Sequence, residues 1–341
     1  DVESDALVAS ALAIASGSGT LVNNGDGSWS YTPALNDDSA VSFSYTIADN
    51  GTSNGVADPR SVAGTASLDI TPVNDAPTDL ILNITVAPSG NSLPSGAFGQ
   101  MSVVDPDGGA APYVYSLLSL TATTLAGAAA ANFAGDLTVG STGAVSASNM
   151  DADRVYEMTV QVQQGTGSYS EAFSLITGTN AGNTVAGTVA TGDDVIYGQG
   201  GGDLVFAGSG DDTVFGQNGD DEIHGGAGND VLAGGGNNDS FQFDTALDAL
   251  TNVDTITDFV SGADSIVLEN TGAGLFNALA AGALAPAAFT SGAVTASTRI
   301  IYDTATGWLS YDADGSGAGA AVHFATLVGA PALAAASFTV I

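Results

Sequence analysis

Residues 191–244 repeat every nine residues and read TGDDVIYGQ GGGDLVFAG SGDDTVFGQ NGDDEIHGG AGNDVLAGG GNNDSFQFD. One column of the repeat is acidic: Asp194, Asp203, Asp212, Asp221, Asp230 and Asp239. Two residues later an apolar column follows: Ile196, Val205, Val214, Ile223, Leu232 and Phe241. Two residues before the aspartates stand Gly192, Gly201, Gly210, Gly219 and Gly228, and then Asn237.

This spacing predicts short strands joined by tight turns. The residues around each apolar position can form a strand with the apolar side chain pointing inward and its two neighbours outward. The remaining residues of each unit must turn the chain. Glycine reaches the positive-φ conformations that such turns need, and asparagine tolerates them best among the other residues.

Alternate units are expected to stack on the same edge. This stacking puts Asp194, Asp212 and Asp230 in one column and Asp203, Asp221 and Asp239 in the other. Stacked carboxylates repel one another, and a hard cation bound by carboxylates and turn carbonyls would remove the repulsion. The gaps between successive aspartates would give about four cation sites.

The repeat resembles the nonapeptide GGxGxDxUx of RTX proteins. The resemblance implies a parallel β-roll over residues 179–243 that binds Ca²⁺ through the aspartates, with the glycine column forming the turns of the calcium loops. The sequence departs from the motif at three places. Ala207 replaces the first glycine of one unit, and Gln199 and Gln217 replace the second glycine in two units.

Composition restricts the possible partners and the setting. The chain has 341 residues, with 37 acidic residues against three basic ones and a net charge of −34. Nucleic acids and anionic membranes require basic residues, so we expect no nucleic-acid partner. There is no cysteine, and no apolar run approaches membrane-spanning length. Saline or calcium-rich surroundings would relieve the self-repulsion, which indicates an extracellular protein.

Residues 1–75 are expected to form a β-sandwich. Val41, Phe43, Tyr45 and Ile47 alternate with polar residues, as in half-buried strands. The run GTLVNNGDGSWSYTPALNDDSAVSFSYTIADN, followed by LDITPVNDAP, resembles cadherin-like and VCBS-type repeats of bacterial adhesins. In those repeats a further strand precedes the DVESD-like segment, so we expect this domain to be N-terminally incomplete. Its open edge could then accept a strand from another subunit.

Residues 76–178 predict a second β-sandwich. The runs VVDPDGGAAPYVYSLL and GAVSASNMDADRVYEMTVQV resemble bacterial cadherin-like domains. The resemblance implies a Ca²⁺ site at one end of the sandwich, formed by Asn74, Asp75, Asp105, Asp107 and the acidic pair Asp151 and Asp153.

Residues 244–341 are expected to form a β-rich cap that ends in an uncleaved secretion signal. The segment after the repeat looks like those that close RTX rolls, and Asp254, Asp258 and Asp264 are candidates for completing the last turn. The apolar C-terminus resembles the signals of proteins exported by type I secretion.

One face of the roll is predicted to be apolar. Val195, Tyr197, Phe215 and Val231 point outward on the same sheet. Because an exposed apolar strip promotes association, we expect this face to pack against the C-terminal segment or another subunit.

The sequence as a whole predicts an all-β chain with two cadherin-like, Ig-like sandwiches, a calcium-binding parallel β-roll and a β-rich cap. It resembles the C-terminal region of an RTX adhesin. The chain carries no HExxH, GxSxG or P-loop motif, and we expect no enzyme activity. Two alternatives remain: a self-assembling surface-layer or filament subunit, and the non-catalytic tail of a secreted hydrolase.

Overall fold

The computed structural model describes residues 7–35, 37, 39–49, 51–53, 56–57, 60–71, 74–108, 112–186, 192–272 and 275–341. Within these ranges the fold is all-β, as predicted, with two short 3₁₀ turns at Pro286–Ala288 and Ala335–Ser337. The chain divides into two compact units. One consists of residues 1–76 with 105–110, and the other of residues 77–104 with 111–341.

The first unit contains a three-stranded antiparallel sheet of order β1-β4-β7 and two hairpins, β2-β3 and β5-β6. Its strands are β1 (Val8–Ser16), β2 (Gly19–Asn23), β3 (Trp29–Pro33), β4 (Val41–Ala48), β5 (Thr52–Ser53), β6 (Val56–Ala57) and β7 (Ser61–Leu68). Val41 and Phe43 are buried on one face of β4, whereas Ser44 is exposed. Tyr31 packs edge-on against Phe43, with ring centroids 5.3 Å apart. The alternating pattern therefore forms the half-buried strand that it predicts.

The second sandwich begins the larger unit. Its strands are β8 (Asp79–Ile84), β9 (Gly96–Val104), β10 (Val114–Thr123), β11 (Leu137–Val139), β12 (Ala144–Ala147), β13 (Arg154–Gln164) and β14 (Gly167–Thr177). One sheet has the order β11-β12-β9-β8, and the other begins β10-β13-β14. Leu80, Phe98, Tyr156 and Phe173 are fully buried between these sheets.

The nonapeptide stretch forms two parallel sheets. Its strands are β15 (Thr184–Ala186), β16 (Asp194–Tyr197), β17 (Leu204–Ser209), β18 (Thr213–Asn218), β19 (Glu222–Ala227), β20 (Val231–Gly236) and β21 (Ser240–Phe243). Ile196 pairs with Val214, and Val205 pairs with Ile223, so residues eighteen positions apart are neighbours. The six apolar residues of the repeat are fully buried in one core. Stacking of alternate units is therefore confirmed.

The C-terminal segment continues the same two sheets. Its strands are β22 (Asp254–Ile256), β23 (Ser265–Leu268), β24 (Gly282–Ala283), β25 (Phe289–Thr290), β26 (Ile300–Asp303), β27 (Trp308–Tyr311), β28 (Val322–Leu327) and β29 (Phe338–Val340). Strand β22 lies between β20 and β28, and β23 lies between β21 and β29, each in parallel. At the other end, β14 pairs in parallel with β16. Strands thus pair across the expected boundaries at residues 178 and 243, and the division into 1–75, 76–178, 179–243 and 244–341 stays a prediction.

The apolar face of the roll is covered by the second sandwich. Val195, Tyr197 and Phe215 are buried in one core with Leu80 and Phe98. The expectation that this face packs against the C-terminal segment or another subunit is therefore wrong. The physical reason is that β14 and β16 belong to one sheet, so the facing sheet of the sandwich extends over the first roll strands as well. Val231, farther along, keeps 39% of its surface exposed.

Candidate metal centre

The repeat aspartates form two ladders of hydrogen bonds, one along each edge of the roll. In one ladder the main-chain N–H of Asp194 donates to Oδ1 of Asp212 at 2.7 Å, and that of Asp212 donates to Asp230 at 2.9 Å. In the other, the N–H of Asp203 donates to Oδ1 of Asp221 at 2.7 Å, and that of Asp221 donates to Asp239 at 3.0 Å. One oxygen of each accepting carboxylate is therefore satisfied by a main-chain donor of the preceding turn.

The second oxygen of these carboxylates has no such partner. Within the described part of the chain, five buried Oδ2 atoms accept no hydrogen bond, those of Asp203, Asp212, Asp221, Asp230 and Asp239. A buried ionised oxygen without a partner costs several kcal/mol, and proteins normally neutralise it by protonation or by a bound cation. The ladders therefore present a regular row of carboxylate oxygens without a hydrogen-bond donor.

The electrostatics of the ladders agree with this arrangement. Burial is the main cause that raises the pKa of Asp212 to about 8 and those of Asp203, Asp230 and Asp239 to about 7. It raises the pKa of Asp221 to about 6. Hydrogen bonds from the main chain oppose each rise, but they do not cancel it. Positive charge beside these oxygens would keep the carboxylates ionised at neutral pH.

The turns that carry the aspartates leave no room for side chains. A Cβ added at Gly216 would overlap Oδ2 of Asp221 and would lie 2.7 Å from the carbonyl oxygen of Gly234. A Cβ added at Gly219 would overlap the main chain of Gly201 in the neighbouring turn. Asn237, the exception in the glycine column, has the predicted positive φ, 89°. The glycines are thus needed for close stacking as well as for turn conformation.

Main-chain carbonyls must supply part of any metal coordination. Among the residues that the structure describes, no group of three or more His, Cys, Asp or Glu side chains is arranged to hold a metal ion. Unpartnered carboxylate oxygens next to turn carbonyls form an all-oxygen donor set, which suits a hard cation such as Ca²⁺. The residues present therefore fit calcium better than a softer metal that prefers nitrogen or sulfur ligands.

The three aspartates after the repeat have two different roles. Asp254 and Asp264 continue the ladders, since their Oδ1 atoms accept the N–H groups of Asp230 at 3.2 Å and Asp239 at 3.0 Å. Asp258 instead accepts the N–H groups of Gly234 and Gly235, at 3.0 and 2.9 Å. All three lie at the closing turns, and metal ligation by Asp258 and Asp264 stays a prediction.

Sequence reasoning missed a further polar column, directly before the aspartates. The N–H of Asp211 donates to Oδ1 of Asp193, and the N–H of Asn229 donates to Oδ1 of Asp211, both at 2.8 Å. On the other edge the N–H of Asn238 donates to Asp220 at 3.0 Å. The signal was present in the sequence, because only Asp, Asn and one Gly occupy this column.

The candidate calcium residues of the sandwiches are distributed over both compact units. In the first unit the N–H of Asp75 donates to Asp107 at 2.6 Å, and the N–H of Asp107 donates to Asp105 at 2.9 Å. Asn74 donates to the carbonyl oxygen of Asp75. A calcium ion at this place stays a prediction.

Asp153 belongs to the other compact unit, where its carboxylate accepts the N–H of Leu125 at 3.2 Å. Its neighbour Asp151 forms an ion pair with Arg154 at 3.2 Å. Arginine therefore neutralises Asp151 in the structure. Calcium ligation by Asp153 stays a prediction.

Two family models match parts of this chain. The model of the cadherin-like domain matches residues 1–71, and the model of the RTX calcium-binding nonapeptide repeat (4 copies) matches residues 177–214 and 207–241. The chain thus contains a cadherin-like domain and RTX calcium-binding repeats, which fits the C-terminal region of an RTX adhesin. Both families are structural or calcium-binding, and together they point to a calcium-binding protein that works outside the cell.

Solved structures similar to this chain include two human cadherins and one bacterial protein. Human protocadherin-24 EC1-2 is 14% identical with a TM-score of 0.33, over 52% of this chain and 84% of that one. Human CDH23 EC21-23 is 17% identical with a TM-score of 0.31, over 50% of each chain. The AlgE6R3 subunit of the Azotobacter vinelandii mannuronan C5-epimerase is 25% identical with a TM-score of 0.27, over 48% and 81%. At these TM-scores the likenesses carry no argument about function.

No curated protein matches the sequence. In the described ranges no helix has the length and apolar character needed to cross a membrane.

Proposed function

We propose that this chain is a calcium-dependent structural and adhesive segment of an extracellular RTX protein, and that it folds on calcium binding after type I secretion. The observation that carries the proposal is the row of five buried carboxylate oxygens without partners. Two cadherin-like sandwiches would act as spacer modules. No catalytic role is proposed.

Calcium would be held by the second oxygens of the repeat aspartates together with turn carbonyls. Bound there, the ion supplies positive charge, so the carboxylates stay ionised and the turns of adjacent units are held together. Ligation requires deprotonated carboxylates, so calcium binding releases protons. We propose about four ions in the roll, one for each gap between stacked repeat aspartates.

The proposed coupling between calcium and folding suits export through a narrow channel. In a cytosol with little free calcium, the buried carboxylates oppose folding of the roll. Outside the cell, extracellular modules bind calcium at about 10⁻⁴–10⁻³ M, and the binding energy becomes folding energy. The C-terminal strand β29 pairs with β23, so this segment would be accessible as a secretion signal only before the roll folds.

Circular dichroism of the purified chain, with excess chelator and with 10 mM calcium, tests this proposal. We expect chelation to lower the melting temperature of the roll and to weaken its β-signal, and calcium to restore both. Magnesium at the same concentration is the control, because it requires a tighter octahedral geometry and retains its waters. A roll that keeps its β-signal and melting temperature in chelator would refute the coupling.

A further inference from the structure

Two turns on one edge of the roll have glutamine where the repeat normally has its second glycine. Gln199 and Gln217 adopt φ values of 76° and 78°, in the left-handed region that disfavours residues with a Cβ. The next turn on the same edge keeps the glycine, Gly235, at φ 103°. Both glutamines are buried, with 3% and 6% of their surfaces exposed. A strained backbone at a buried polar residue requires a compensating interaction.

Hydrogen bonds of the two side chains supply that compensation. Oε1 of Gln217 accepts the main-chain N–H of Gln199 at 3.1 Å. Nε2 of Gln217 donates to the carbonyl oxygens of Gly90 and Ser92, the latter at 3.1 Å. Nε2 of Gln199 donates to the carbonyl oxygen of Gly178, just after β14. The side chain of Gln217 therefore connects its turn to the loop 88–92 of the second sandwich, and that of Gln199 connects the preceding turn to the end of β14.

A second contact supports the same connection. Asn91, in that loop, donates from Nδ2 to Oδ1 of Asn180 at 2.7 Å. Asn180 lies in the segment that leads from the sandwich into the roll. The loop 88–92 is thus held by side chains from two separate places on this edge.

The two edges of the roll differ in whether their turns carry side chains that reach the second sandwich. The glutamine turns lead into Asp203 and Asp221, which belong to one aspartate ladder. On the opposite edge the corresponding positions are Gly208 and Gly226, which have no side chain to reach the sandwich. Only one of the two ladders is therefore tied to the sandwich by side chains at this position.

We propose that Gln199 and Gln217 are positioning residues that couple the metal loops of the Asp203/Asp221 edge to the second sandwich. The inference rests on the proposed function, since it concerns the same calcium sites. It divides them into two classes: sites on the glutamine edge bind more tightly because their turns are preorganised, and sites on the opposite edge bind independently of the sandwich. Coupling is reciprocal, so calcium on the glutamine edge also orders the loop 88–92.

The substitution Gln217→Gly tests the proposal, because a merely strained turn and a positioning role predict opposite changes in calcium affinity. Glycine is the normal residue of the repeat and relieves the left-handed strain, so a merely strained turn would become more stable and would bind calcium at least as tightly. If Gln217 positions the turns, we expect calorimetric titration of the full chain to show a fivefold to tenfold weaker affinity for one class of sites. The other class should keep its affinity.

A second variant and a second measurement make the outcome decisive. Gln217→Asn tolerates positive φ but is one methylene too short to span to Gly90, so it should behave like Gln217→Gly. Hydrogen exchange of the main-chain amides of residues 89–92 should slow on calcium addition in the wild type, and it should slow much less in both variants.

The failure of this inference can be distinguished from the failure of the proposed function. If the wild type binds no calcium at either edge, the proposed function itself is wrong. If the wild type binds calcium and both variants match it in affinity and in hydrogen exchange, or bind more tightly, the positioning role is overturned.

Discussion

Asp212→Asn should have opposite effects on the metal-free and the calcium-bound roll. The asparagine keeps an Oδ1 acceptor for the N–H of Asp194 and removes the buried charge. Since burial raises the pKa of Asp212 from 3.8 to about 8, the metal-free chain must take up a proton at this carboxyl when it folds at pH 7, which lowers the free energy of unfolding by up to about 4 kcal/mol. In chelator the variant should therefore be the more stable protein.

In calcium the same change should remove about half of the benefit of the metal. Asp212 lies between Asp194 and Asp230, so it contributes to two of the proposed sites. A site at a hundred times its dissociation constant stabilises the folded state by about 2.7 kcal/mol. The loss of two sites should reduce the calcium-induced gain in the free energy of unfolding by about 5 kcal/mol.

Urea unfolding followed by circular dichroism, in chelator and in 10 mM calcium, measures both effects. Asp211→Asn is the matched control, because Oδ1 of Asp211 accepts the N–H of Asn229, and Asn229 itself performs this role one turn later. We expect the control to keep the calcium-induced gain. If Asp212→Asn kept it as well, the carboxylate would not be a ligand and the reasoning from unpartnered oxygens would be refuted.

Three further predictions concern pH, the core and the covered face. Since folding raises the pKa of Asp203 and Asp239 from 3.8 to about 7, the metal-free roll should lose stability as pH rises from about 4 through 7. Its melting temperature in chelator should be higher at pH 5 than at pH 8, whereas calcium affinity measured by calorimetry should be higher at pH 8. If both quantities were higher at the same pH, these carboxylates would not be the calcium ligands. Ile223→Ala should lower the free energy of unfolding, measured with urea in calcium, by about 2–5 kcal/mol, because the side chain is fully buried in the roll core. A loss below about 1 kcal/mol would mean that the core is not packed as described. Phe215→Ser should lower the melting temperature without changing the particle size measured by light scattering, because Phe215 packs within the chain against the second sandwich. A change in particle size at constant melting temperature would instead indicate that Phe215 contacts another subunit.

The sequence predicted the roll well because its determinants are local and periodic. The apolar column fixed which residues enter the core, from Ile196 to Phe241, and the period of nine fixed which turns stack. The glycine column indicated the tight turns, and Asn237 behaves as its residue type suggests. Each of these features depends on neighbours within eighteen residues, which a pattern can reveal.

The interactions of the roll with other parts of the chain could not be predicted in the same way. Gln199 and Gln217 looked like departures that weaken the motif. In the structure Gln217 binds the loop 88–92, more than a hundred residues earlier in the chain, and Gln199 binds the carbonyl oxygen of Gly178. Similarly, Tyr197 and Phe215 looked like an exposed strip, and the covering sheet lies far away in the sequence. Nothing in a nine-residue pattern indicates which distant segment will cover it.

The sequence by itself determined the period, the inward and outward positions, and the two columns of acidic residues. Only the tertiary structure decided that one oxygen of each stacked aspartate, from Asp203 onward, accepts a main-chain hydrogen bond while five second oxygens stay unpartnered. It also decided that the sandwich covers one face of the roll and contacts one of its edges. The physical reason is that burial and hydrogen-bond partners are set by the packing of distant segments, whereas periodicity is a property of the local chain.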